Sequence, residues 1–359
     1  NKMQAWSSTG DSESMRKEML EDRFVLEDIA ILGQWTTIYA SHGVGKTLIT
    51  LNLLKGAVES GGLDGRKVFY VNADDNYKGS VEKLAIAEDF GIEMLLPNRN
   101  GFDPSLLIAE MKTAAQNDQA RGIVVILDTL KKFVDLMSKA DGTQFGKTIR
   151  QFTQAGGTTI GLAHTNKHLD DEGNSIYSGT TDIADDCDCV FILEKTEDKT
   201  VPGRQLVEFR NEKARGDVVS VKSFSYMRRQ GETYLDLLNS VVVLDPETTE
   251  LAKKRDLIER QYHKDKVIID AIREVAATDI PDLTTLIKRV SEDSGKSIEK
   301  CRMIATRYSG EGLDEFVFWK ISKGKNNLKT LEMHTSLFKD APLKKPENPK
   351  TKEGALVGD

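Results

Sequence analysis

Cysteine is scarce in this chain, with three residues, Cys187, Cys189 and Cys301, among 359. Three thiols make no disulfide framework, and a single C-x-C pair without a second ligand pair nearby makes no zinc pattern, so buried thiols are expected. Long apolar runs are missing as well. Nothing approaches the roughly 18 consecutive apolar residues of a membrane helix, and the polar N-terminus lacks the apolar core of a signal peptide. A cytoplasmic setting with no membrane partner is therefore expected. No internal repeat is visible, so no repeat architecture is anticipated.

What is present describes an ordinary globular composition, 39% hydrophobic and 30% charged, in a chain long enough for two domains with cores of their own. The formal net charge is −7, but it is spread unevenly. From residue 251 onward there are about 22 Lys and Arg against about 18 Asp and Glu. The C-terminal part is thus the better candidate for a basic surface.

The most informative stretch is ASHGVGKT, Ala40 to Thr47. Aromatic and β-branched residues (WTTIY) precede it and a helical pattern (LITLNLL) follows, which is the strand–loop–helix context of a phosphate-binding loop. Gly43 and Gly45 let the backbone fold tightly with its N–H groups inward, and the helix N-terminus adds partial positive charge. Ser41, His42, Gly43, Val44, Gly45, Lys46 and Thr47 are the expected nucleotide-binding residues. Lys46 would reach the β- and γ-phosphates, and the Thr47 hydroxyl would meet Mg²⁺. Ala40 stands where the usual pattern has its first glycine. ATP and Mg²⁺ are the cofactors this loop implies.

Strand and helix patterns alternate from Phe24 onward. KVFYVNADD ends in two carboxylates, Asp103-Pro104 reads as a helix cap and first turn, and GIVVILDTL is the continuous apolar run of a strand covered on both faces. TTIGLAHTNK, CDCVFILEK and RQLVEFRNEKARG follow, and strands separated by helix-length segments imply a largely parallel sheet. The expected divisions are a tail over 1–22, an α/β domain over 23–240, a linker over 241–262 containing DPETTELAKKRD, a small domain over 263–336 and a disordered tail over 337–359. Three short helices and a hairpin in 263–336 have the pattern of a winged helix.

Hydrolysis needs more than a cradle. Asp128, ending the apolar strand, is the expected partner of the metal's water shell. Asp74 and Asp75 end a neighbouring strand, where alternation would put them on opposite faces, and Asp74 is preferred as the group orienting the attacking water. His164 ends a third strand, where it serves either structure or a γ-phosphate. Lys213 and Arg215 form a K-x-R pair that either decorates a hairpin or enters a neighbouring subunit's nucleotide as a finger.

Taken together, these segments resemble the RecA-like core of hexameric DNA helicases, most closely the RepA-type plasmid replicative helicases related to DnaB. The likeness runs over roughly residues 26–221, through ASHGVGKT, VNADD, VVILDTLKKF, GLAHTNK, SGTTDIADDCDCVFIL and NEKARG. It implies an α/β fold, a RecA-like P-loop NTPase core with a largely parallel central sheet, to which the winged-helix-like domain is appended. By resemblance the Walker A residues are Lys46 and Thr47, the Walker B aspartate is Asp128, the catalytic carboxylate is Asp74, the γ-phosphate sensor is His164, and the finger is Lys213 with Arg215. Asp74 is one methylene shorter than the family's glutamate. HLDDEGN, 168–174, is acidic where a channel loop should meet DNA, so channel contacts are assigned to Lys131, Lys132, Lys139, Lys147 and Lys167. Lys300, Arg302 and Arg307 on the third C-terminal helix, with Lys323 and Lys325 on the hairpin, are the further DNA-binding candidates.

The implied function is an ATP-driven, ring-forming DNA helicase or translocase of a plasmid or phage. It would be a homo-hexamer around single-stranded DNA, with ATP hydrolysed at subunit interfaces. Two alternatives stand beside it: a RecA-like recombinase or strand-annealing ATPase that forms filaments, and an ATP-switched DNA-binding regulator or helicase loader.

Overall fold

The structure, a computed structural model, describes residues 2–18, 23–169, 175–177, 181–197, 201–278, 282–310, 316–324 and 328–334. The chain forms two compact units, 1–253 and 254–359. Among the described residues no helix is long and apolar enough to cross a membrane.

Where a tail was expected, two short helices occur, α1 (Lys2–Ala5) and α2 (Ser12–Glu18). Side chains 2–17 are all exposed. The α/β part then runs β1 (Phe24–Leu26), β2 (Ala30–Ile31), β3 (Trp35–Ala40), α3 (Lys46–Glu59), β4 (Val68–Asn72), α4 (Tyr77–Phe90), β5 (Glu93–Leu95), α5 (Pro104–Gln116), β6 (Val124–Asp128), α6 (Lys139–Gln154), β7 (Thr158–Leu169), β8 (Ser175–Tyr177), α7 (Thr181–Asp186), β9 (Cys189–Glu197), β10 (Arg204–Lys213), β11 (Val221–Met227), α8 (Tyr234–Asn239) and β12 (Val242–Leu244). Asp103 caps α5 by accepting from the Ser105 N–H, as its position before Pro104 predicts.

The main sheet has the order β12-β11-β10-β9-β3-β7-β6-β4-β5, with β8 paired to β7. From β9 to β5 the pairings are parallel, and β10, β11 and β12 add an antiparallel flank. Alternation along each strand divides the apolar residues between two cores. Ile38, Tyr70, Ile126, Leu162 and Phe191 face α3 and α4, where Leu48, Ile49, Leu54 and Phe90 meet them. Tyr39, Val71, Val125, Leu127 and Ile192 face α5 and α6, against Met111, Phe145, Ile149 and Phe152. Apolar runs without polar alternation are the sequence record of this double covering. The three cysteines are free and buried, and burial pushes the Cys187 and Cys189 thiols up.

The expected linker over 241–262 is instead β12 followed by the start of a continuous helix, α9 (Pro246–Ala276). Pro246 sits at its first position, where a missing N–H costs nothing. Asp245 supports that end by accepting from the Thr248 N–H at 2.8 Å. The charge run that suggested a loop is a set of good helix formers on an exposed surface.

In the C-terminal unit, α9 is followed by α10 (Leu283–Ser294), α11 (Ile298–Arg307) and an antiparallel ribbon of β13 (Trp319–Lys323) and β14 (Lys329–Met333). Ile269, Ile272, Ile287, Val290, Ile304 and Trp319 form its core. The buried indole of Trp319 donates to the Ala305 carbonyl at 2.6 Å, and the Tyr308 hydroxyl donates to Asp265 at 3.1 Å.

Candidate functional site

Strand parity decides which side chains can meet α3. Ile126 and Leu162 face α3, so Asp128 and His164, each two residues further on, face the same way. Both lie at the C-terminal edge of the sheet, where β3 gives way to the glycine loop and α3 begins. The backbone at Gly43 and Gly45 has φ of 73° and 106°, and a Cβ at Gly45 would lie 3.0 Å from the Tyr226 ring. No side chain caps the N-terminus of α3, which leaves its first N–H groups as donors for an anion. From β11, Tyr226 donates to the Val44 carbonyl at 3.2 Å and holds the loop.

Within the first turn of α3, Lys46 is only 8% exposed. Its burial lowers the ammonium's pKa, while Asp128 and Asp74 act in the opposite direction. Thr47 donates its hydroxyl to Oδ2 of Asp128 at 2.7 Å. The same oxygen accepts from the buried Tyr70 hydroxyl, also at 2.7 Å.

Asp74 and Asp75 do not end a strand, because β4 stops at Asn72. Alternation therefore does not separate them; their partners do. Asp75 is paired with Lys83, itself buried, and accepts from the Asn72 amide at 2.8 Å. Asp74 instead faces Lys131 at 3.7 Å, Lys132 at 3.9 Å and Nε2 of His164 at 3.8 Å. What distinguishes Asp74 from Asp75 is therefore their ion-pair partners, not strand parity.

The His164 ring is stacked on His42 of the glycine loop, with centroids 3.8 Å apart and planes at 27°. Desolvation lowers its pKa to about 4, with Lys46, His42 and Lys131 acting in the same direction and Asp74 against. It is thus neutral near pH 7. Both ring nitrogens are buried without a hydrogen-bond partner among the described residues. Such orphaned groups beside a buried lysine and an uncapped helix fit an anionic ligand with oxygens to share.

Lys131 and Lys132, expected on a DNA channel, follow Asp128 directly in a single-turn helix, Leu130–Lys132, and face Asp74. They border a cavity of about 890 Å³ that also reaches His164 and lies between α5 and α6. Lys139 and Lys147 are exposed on α6. The backbone of Lys167 belongs to β7, and its side chain lies outside the described residues, as do residues 170–174 of the acidic loop and all of Lys325.

Lys213 and Arg215 lie at the other edge of the sheet. Lys213 is in register with Val190, which pairs with Thr37 near the start of β3. The Lys213 ammonium donates to the carbonyls of Ala184, at 3.0 Å, and of Asp185. Arg215 is 3.6 Å from Asp188, whose carboxylate also accepts from the Trp35 N–H and pairs with Arg150. Along β3, the distance from Trp35 to the glycine loop is about 17 Å at 3.3 Å per residue. Neither cation reaches the glycine loop of its own chain.

Lys300, Arg302 and Lys323 are exposed. Arg307 is exposed too, and its guanidinium also pairs with the buried Asp265 at 2.6 Å. The residues missed in the sequence are Tyr70, Tyr226 and Lys83. A tyrosine within an apolar strand is the signal that could have found Tyr70, because a buried hydroxyl needs a partner.

The donor set suits a hydrated magnesium ion: hard oxygens only, with the Thr47 proton directed at Asp128 so that a hydroxyl lone pair and Oδ1 of Asp128 stay available. Among the described residues there is no alternative cluster of metal-ligating side chains.

Comparison with known families agrees at this level. Residues 10–170 match the family described as AAA domain, which is compatible with a P-loop ATPase core in this span. The match takes in the glycine loop, Asp74, Asp128 and His164, and stops before β9. No curated protein matches the chain.

Proposed function

We propose that this chain is an ATP-driven DNA helicase or translocase that works as a ring, of the RepA-like kind found in plasmid and phage replication. One observation carries the reading beyond an ATPase. Lys46, Thr47, Asp74, Asp128 and His164 converge around one phosphate position, whereas Lys213 and Arg215 face away from it at the opposite sheet edge. A site of this kind is completed by a second copy whose Arg215 enters from outside.

In that assembly the glycine loop and the first turn of α3 hold the triphosphate, and Lys46 neutralises charge on its β- and γ-oxygens. Thr47 and Asp128 would hold a magnesium ion, which would supply positive charge to offset the negative charge developing in the reaction. Asp74 orients the attacking water and accepts its proton, and Lys131 and Lys132 hold that carboxylate in place. His164, neutral and unpartnered, donates to the transferred phosphoryl group and registers its departure from within β7, opposite the last residue of β3. The partner copy's Arg215 offsets charge on the leaving oxygens.

DNA contacts would be made to the backbone by lysines of the ring interior, with Lys300, Arg302 and Lys323 of the C-terminal unit acting as a winged-helix-like second grip. Binding would weaken steeply with salt and carry little sequence information.

The test measures particle mass with and without ATP and single-stranded DNA, ATP turnover, and ATP-dependent unwinding of a forked duplex. Closed rings that unwind the fork are the expected result. Helical filaments on single-stranded DNA would favour a recombinase. A monomer under every condition, or a ring that hydrolyses ATP without unwinding or moving on DNA, would overturn the proposal.

A further inference from the structure

Tyr70 is a fully buried phenol between apolar neighbours in its strand, Phe69 and Val71. It lies in β4, in register with Ile126 of β6, and Asp128 is the next residue of β6 on the same face. That diagonal lets a long side chain leaning along its strand reach the neighbouring strand's next residue. The result is the 2.7 Å hydrogen bond from the Tyr70 hydroxyl to Oδ2 of Asp128, the oxygen that also receives the Thr47 proton. Asp128 is 5% exposed and Tyr70 is 0% exposed, so water does not compete for this bond.

We propose that Tyr70 is a positioning residue for magnesium, fixing the Asp128 carboxylate so that Oδ2 is committed to the two hydroxyls and Oδ1 is left for the ion's water shell. The inference rests on the ATPase reading of the site and adds a residue to it. A carboxylate at a strand end can rotate about its last side-chain bond, presenting either oxygen or neither squarely to an ion. Two hydroxyls from opposite sides, one on the first turn of α3 and one on β4, remove that freedom before any ligand arrives. Tyr70 touches neither nucleotide nor metal, and its effect passes entirely through Asp128. Groups with this relation to a metal ligand typically change metal affinity about 10-fold to 100-fold when removed.

Tyr70→Phe keeps the ring in the core and deletes only the donor. Binding of a fluorescent ATP analogue is measured for wild type and variant, first in EDTA and then across a magnesium titration. The expected result is unchanged affinity in EDTA together with about a 10-fold higher magnesium concentration for half-maximal tightening in the variant. The same comparison in an Asp128→Asn background should show no further effect of Tyr70→Phe, since the group through which it acts has been altered. Equal magnesium midpoints in wild type and Tyr70→Phe would overturn the inference, as would an undiminished effect in the Asp128→Asn background. Failure of the ATPase reading looks different, because wild type itself would then bind the analogue under neither condition.

Discussion

At the scale of single residues, two adjacent carboxylates have been given opposite tasks. Asp75 neutralises a lysine that is 7% exposed, whereas Asp74 makes only long contacts, 3.7 Å to Lys131 and 3.9 Å to Lys132, both exposed. Asp74→Asn should therefore lower ATP turnover about 100-fold or more while leaving the melting temperature nearly unchanged. Asp75→Asn should do the reverse, lowering the unfolding free energy by ~2 kcal/mol because it strands the Lys83 charge. Parallel measurement of turnover and thermal melting for the two variants separates the roles, and equal losses of turnover would refute the assignment. His164 supplies a pH signature. Its pKa falls from 6.5 unfolded to about 4 folded, so the unfolded state binds the extra proton between those values. Stability should be full above pH 6.5 and decline as the pH falls towards 4, by ~2 kcal/mol after screening. His164→Asn should flatten that part of the urea-melt profile, and an unchanged slope would count against the buried neutral imidazole.

Among elements, the glycine loop and the strand ending at Asp128 are legible in the sequence because each is a run of consecutive residues whose chemistry is local. The break of β4 at Asn72 is not, since VNADD reads as extended throughout and only pairing with β6 ends the ladder. α9 was hidden for a related reason. Pro246 and a charged run resemble a loop until Asp245 is recognised as the support of a helix start. In the C-terminal unit, the exposed Arg307 pairs with the buried Asp265. Arg307→Ala should leave Asp265 partly uncompensated, cost ~2 kcal/mol and speed amide hydrogen exchange across α10 and α11. Lys300→Ala should leave exchange alone and weaken DNA binding instead. If Arg307→Ala exchanges like wild type, the pair with Asp265 is dispensable.

For the whole molecule, the proposed assembly turns on the separation, along β3, of Arg215 from the glycine loop. Because Arg215 lies at the far sheet edge from its own glycine loop, Arg215→Ala should reduce turnover about 1,000-fold with little change in ATP affinity. Lys46→Ala should abolish nucleotide binding outright. Mixing the two inactive variants should restore part of the activity, because some interfaces would then pair an intact Lys46 with an intact Arg215. No recovery in mixed assemblies would remove the finger in trans.

The sequence by itself determined the cradle, its flanking strand and helix, and the carboxylate at the end of the next apolar run, because glycines, a lysine and periodic apolar residues act within a few positions of one another. Tertiary structure alone decided which of two neighbouring aspartates faces the site, that Tyr70 holds Asp128, and that Lys213 and Arg215 cannot serve their own nucleotide. Those choices depend on strand order and register, which bring together residues far apart in the sequence, Val44 and Tyr226 among them, and are set by burial on both faces of the sheet, not by any local pattern.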